Sequence, residues 1–138
     1  MDTIVQAKRV LEIFKEMSQI PRGSGNEKGI SDYIVNFAHN LGLEATQDSE
    51  WNVVIKKPAT PGYENRPSVI LQGHIDMVCV KGHDSSHDFT KDPIANIIEG
   101  EWMHADHTTL GADNGMGGAM MLAILEDDSQ QHGPMQLL

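Results

Sequence analysis

The chain has 138 residues, the size of one domain or of one large piece of one. Ten basic residues against twenty acidic ones give a formal charge of −10, which excludes a phosphate-binding surface as its main business because nucleic acid would be repelled. Hydrophobic residues make up 39% and are clustered, enough for a core and too many for global disorder. No apolar run approaches the ~20 residues of a membrane span, and no basic-then-apolar leader is expected. The lone cysteine, Cys79, has no partner for an internal disulfide. The expectation is a soluble protein of a reducing compartment, the cytoplasm.

A first helix is expected from about Ile4 to Ser18. Ile4, Ala7, Leu11 and Phe14 share a face, with Val10, Ile13 and Met17 beside them and Asp2 or Thr3 as N-cap. Pro21 stops it, and Gly23-Ser24-Gly25 makes a loop. Asn26 is placed to cap a second helix running to Leu41, with Gly42 as its left-handed stop. Trp51–Ile55 and Val69–Val78 are β-branched and read as strands. The consecutive apolar Val69-Ile70-Leu71 reads as a strand covered on both faces. Lys57–Pro67, with its prolines, is a loop, and Lys81–Pro93 is polar and irregular. Ile94–Ile98 and Glu101–Ala105 form a hairpin about Glu99-Gly100. Gly111–Gly118 reads as a glycine-rich turn, Ala119–Leu125 as a helix, and Pro134–Leu138 as the start of another strand. The order predicts α/β layers, and the uncovered last strand suggests the N-terminal part of a longer domain.

Two stretches carry chemistry. In Gly73-His74-Ile75-Asp76, alternation along a strand puts His74 and Asp76 on one side. A neutral imidazole is a good ligand for a divalent metal, and a carboxylate on its other nitrogen fixes the tautomer. A buried histidine satisfied by a neighbouring aspartate fits the same pattern. In Leu110-Gly111-Ala112-Asp113-Asn114-Gly115, Asp113 projects from the turn as an exposed or metal-facing carboxylate. An ordinary N-cap aspartate fits that pattern too, whereas the helical residues that follow argue against a hairpin turn at Asn114-Gly115.

The other candidates read more plainly. His83 and His87 lie four apart in a solvated loop. His104-Ala105-Asp106 repeats the His-x-Asp pattern on a hairpin strand and ranks below His74. Glu126-Asp127-Asp128 marks a solvated helix end, Cys79 a buried small residue, and Met120 and Met121 core.

Taken together, the two stretches resemble the co-catalytic zinc metallopeptidases, in their aminoacyl-histidine dipeptidase branch, which is related to aminoacylases and glutamate-releasing carboxypeptidases. Ile20-Pro21-Arg22, Ser24-Gly25-Asn26-Glu27, His87-Asp88-Phe89, Lys91-Asp92-Pro93-Ile94 and the run from Thr108 to Gly115 add to the likeness, which covers essentially the whole chain. The resemblance implies a three-layer α/β/α catalytic domain, with residues 1–138 as its N-terminal part and the lid or dimerisation domain absent. It implies that His74 and Asp113 are metal ligands, with Asp113 bridging two Zn2+ (Mn2+ or Co2+ as substitutes) through a cis peptide to Asn114. Asp76 would orient the imidazole and is counted as catalytic.

The implied reaction is hydrolysis of dipeptides, of Xaa-His type or more broadly, by a bridging hydroxide between two zinc ions, with a glutamate as base. A homodimeric full-length enzyme, no nucleic acid and no membrane complete the picture. His107 departs from the family pattern, where a glycine is expected. The glutamate base and the remaining ligands have no match up to Leu138, so this piece is expected to be inactive alone and need not hold metal by itself. Two other readings fit: an N-acyl amino acid deacylase of the same fold, and a non-catalytic association module.

Overall fold

A computed structural model describes residues 3–138. Asp2, one of the two N-cap candidates, lies outside them. Helix α1 spans Thr3–Ser18 and α2 spans Lys28–Asn40. Strands β1 (Glu44–Gln47), β2 (Val53–Lys57) and β3 (Val69–Leu71) follow, then the hairpin of β4 (Ile97–Glu99) and β5 (Trp102–His104). Helix α3 (Ala112–Glu126) and strand β6 (Met135–Leu137) complete the order. The α/β class is as expected.

The main sheet has the order β1-β2-β6-β3, with β3 parallel to β6 and the other neighbours antiparallel. Register explains the core. Ala45, Ile55, Leu137 and Leu71 stand side by side across the four strands and pack toward the helices. The adjacent row, Glu44, Lys56, Gln136 and Ile70, faces the other way because side chains alternate. Ile70 is 64% exposed. The expectation that Val69–Leu71 is covered on both faces is therefore corrected. β3 is an edge strand, and no helix of the described residues covers its outer face. The strand also ends earlier than Val78. Two backbone bonds carry the pairing on, Leu138 N–H to Leu71 O at 2.8 Å and Gly73 N–H to Leu138 O at 3.0 Å, after which the chain leaves the sheet.

Helices α1 and α3 run antiparallel. Gln6 and Arg9 near the start of α1 hydrogen-bond Asp127 and Glu126 at the end of α3, while Phe14 and Met17 lie against Gly115 and Gly118 near its start. The first turn of α1 thus projects past the end of α3. Ile4, in that turn, is exposed, as is Leu11 on another face, while Ile13, Phe14 and Met17 form the buried stripe with Ala119, Leu122 and Leu125. The residues read as a glycine turn are mostly the first half of α3. A Cβ at Gly115 would come 2.9 Å from the Phe14 ring, so glycine there lets the helices close.

Smaller boundaries shift too. The N-cap of α2 is Glu27 rather than Asn26, whose N–H turns back to Gly23 O at 2.8 Å. Gly42 takes the expected left-handed φ of 72°. The hairpin turn falls at Gly100-Glu101, one residue later than expected. Strand β1 has no counterpart among the expected elements. Met120 is exposed rather than core, and so is Cys79. Lys57 and Asp127 are buried, so the acidic end of α3 is not simply a solvated terminus.

Candidate functional site

His74 and Asp76 follow β3 where the chain leaves the sheet, and Asp113 sits in the first turn of α3. The Nδ1 of His74 is 2.9 Å from Oδ1 of Asp76, so the two side chains share one side as expected. Its Nε2 is 3.0 Å from Oδ1 of Asp113, across 39 residues of sequence. The peptide between Asp113 and Asn114 is cis, as the resemblance implies, and both residues depart from helical φ/ψ. Asp113 has extended backbone angles (φ −95°, ψ 104°) where α3 is interrupted, and its carboxylate turns to His74. Its side chain is 97% exposed and that of His74 50%.

A further hydrogen bond backs this pair. The Ser24 hydroxyl donates to Oδ2 of Asp76 at 2.5 Å, so a line runs Ser24–Asp76–His74–Asp113. The bond from Ser24 is the main cause holding the Asp76 carboxyl below the usual carboxylate range, with His74 adding to it. The hydrogen bond to Asp113 raises the His74 pKa above the ordinary histidine value, and Asp76 reinforces the shift.

Beneath the line lies Arg22, 2% exposed. One arm of its guanidinium donates to Ile75 O at 3.2 Å and Asp76 O at 3.4 Å, the other to Gly111 O at 2.7 Å. Its own carbonyl accepts the Met77 N–H at 2.9 Å. Burial pushes its pKa down, and the charge of Asp76 opposes this. A groove of about 730 Å³ between sheet and helices reaches the site, walled by Trp51, Val53, Met121 and Leu137 together with His74 and Asp76.

The donor set suits a divalent cation in kind: one imidazole nitrogen with its other nitrogen on a carboxylate, and one exposed carboxylate oxygen. Donors about 2.1 Å from a shared tetrahedral ion lie about 3.4 Å apart, near the His74–Asp113 spacing. The set is small. No group of three or more His, Cys, Asp or Glu among the described residues could hold a metal.

The remaining candidates stay apart from this cluster. The ring of His87 packs edge-on against Phe89 in its loop. His104 pairs with Glu99 across the hairpin at 3.4 Å, not with Asp106. His107 adopts φ 53°, the left-handed backbone in which glycine is at ease, so the departure from the family pattern keeps the local geometry. Nothing in the sequence marks Ser24, in a glycine loop, or Arg22, after a proline, as part of this cluster. An arginine after a helix carries no sign that it will be buried under segments more than fifty residues away.

Known proteins resemble the chain in sequence and in fold. No family model matches the chain. It is 49% identical over 127 residues to the cytosol non-specific dipeptidase of Escherichia coli strain K12, covering 92% of this chain and 26% of the relative. The crystal structure of aminoacylhistidine dipeptidase from Vibrio alginolyticus superposes with a TM-score of 0.90 at 47% identity, over 94% of this chain and 26% of that one. The chain is a relative of the aminoacyl-histidine dipeptidases. A tripeptidase from Staphylococcus aureus subsp. aureus Mu50 shares the fold at a TM-score of 0.74 and 26% identity, over 94% of this chain and 35% of that structure. The chain thus spans about a quarter of the length of the two dipeptidases it matches. None of the helices among the described residues is long and apolar enough to cross a membrane.

Proposed function

We propose that this chain is the N-terminal part of a peptidase catalytic domain and contributes His74 and Asp113 to a two-cation centre that hydrolyses dipeptides in the cytosol. The observation that carries the reading is the 3.0 Å approach of His74 Nε2 to Asp113 Oδ1 from two distant stretches. The likeness to two dipeptidases over nearly the whole chain supports it.

In this reading Asp76 accepts the Nδ1–H of His74, which leaves the Nε2 lone pair free to bind a cation. Ser24, donating to the other oxygen of Asp76, fixes the carboxylate in that pose. Asp113, its carboxylate exposed beside His74, would help hold the cations. Zinc, or manganese or cobalt in its place, would activate a water and polarise the scissile carbonyl. The glutamate base, the further ligands and the lid or dimerisation domain come from outside residues 1–138. The chain alone is therefore catalytically incomplete.

Calorimetric titration with zinc, followed by a dipeptidase assay with zinc or manganese, tests both halves of the proposal. The expected result is zinc binding abolished by His74→Ala and by Asp113→Ala, with no turnover by the chain alone. Zinc binding indifferent to both substitutions contradicts the metal assignment. Clear turnover that His74→Ala removes contradicts the incompleteness.

A further inference from the structure

We infer that Arg22 is a positioning residue: its guanidinium ties the segment carrying His74 and Asp76 to the turn carrying Asp113, and so sets the distance between the two donors. The inference deepens the metal-centre reading and rests on it for the role of those donors. The tie spans 53 residues on one side and 89 on the other. The three side-chain bonds go to carbonyl oxygens of Ile75, which flanks His74, of Asp76, and of Gly111, two residues before Asp113.

A buried cation is usually stabilised by an ion pair, since burying an unpaired charge is costly. Arg22 makes no ion pair among the described residues, and its Nε has no partner. Carbonyls alone take its donors, so packing stability is a poor account of why a guanidinium sits there. A rigid fork with donors on two arms is what bridging two backbone segments requires. The surroundings are shaped to the fork. A Cβ at Gly111 would lie 2.6 Å from its Nη2 and one at Gly115 2.5 Å, so two glycines of the Asp113 turn leave room for it. The backbone of Arg22 adds a further hold through the Met77 N–H. A lysine offers its three donors from a single point and cannot span both arms.

Two measurements on Arg22→Lys and Arg22→Met test the role, with Ser31→Ala as a control. Ser31 is buried and bonds Trp51 O at 2.8 Å and the Gln47 amide, behind the groove wall and without a hydrogen bond to His74, Asp76 or Asp113. The first is amide hydrogen exchange of the metal-free chain. The expected result is exchange about tenfold faster at Met77 and Gly115 together, with Leu122 in the core half of α3 unchanged. The second is zinc titration, where affinity is expected to fall about tenfold or more in both Arg22 variants and to hold in Ser31→Ala.

Unchanged exchange at Met77 and Gly115 overturns the inference. So does uniform acceleration through all the helices, or zinc affinity that falls equally in Ser31→Ala. Arg22→Lys keeps the charge and most of the stem and decides the matter if Arg22→Met does not fold. If the parent chain shows no His74-dependent zinc binding, the metal reading fails while the exchange measurement still decides the tie.

Discussion

His74 has two carboxylates within hydrogen-bond reach, yet a neutral ring has one proton to give. Only the imidazolium satisfies both Asp113 and Asp76, and this is the cause of its raised pKa. The sign follows by linkage. A folded-state value above the ordinary ~6.5 adds stability that is complete below that pH and is lost as pH rises through the folded value. In chelator, the parent chain should exceed His74→Gln in melting temperature by more at pH 6 than at pH 8. Zinc should reverse the trend, because it needs the deprotonated ring. A parent-to-variant gap independent of pH in both conditions contradicts this account. At this scale the sequence was informative about His74, Asp76 and Asp113, since side-chain chemistry and spacing are local. It was silent on Arg22, whose role depends on carbonyls brought together only by folding.

Among the elements, α3 ends with no basic residue in its last turn. The missing cation comes from β2. Lys57, 7% exposed, donates to Ile124 O at 3.2 Å, Leu125 O at 2.8 Å and Asp127 O at 3.1 Å. These are carbonyls that a helix end leaves without partners. Lys57→Met should lower stability by about 2–3 kcal/mol in urea unfolding followed by circular dichroism. A change under about 0.5 kcal/mol contradicts the capping role. The same tertiary dependence explains what sequence reading missed here. Lys57 sits where a loop was expected to begin. Gly111–Gly118 reads as a turn because glycine weakens a helix by about 1 kcal/mol each, but close packing on Phe14 outweighs that penalty. Glu44–Gln47 has no apolar alternation to mark a strand, and pairing with β2 alone makes it one.

For the whole molecule, the α/β class was legible, because apolar strands and periodic helices announce layers, and the candidate residues gather past the end of β3. What covers the sheet was not. The helices take the face of Ile55 and Leu137, and the face of Ile70 has no layer among the described residues. The candidate site likewise brings together two donors, His74 and Asp113, with no group of three or more His, Cys, Asp or Glu placed to hold a metal among the described residues. Both features fit a chain that spans about a quarter of its dipeptidase relatives. The most direct test is anomalous X-ray diffraction at the zinc edge from crystals of the zinc-soaked chain. The account predicts a peak about 2.0–2.2 Å from both His74 Nε2 and an Asp113 carboxylate oxygen. A peak on His83, His87 or His104 with none at His74 would contradict it.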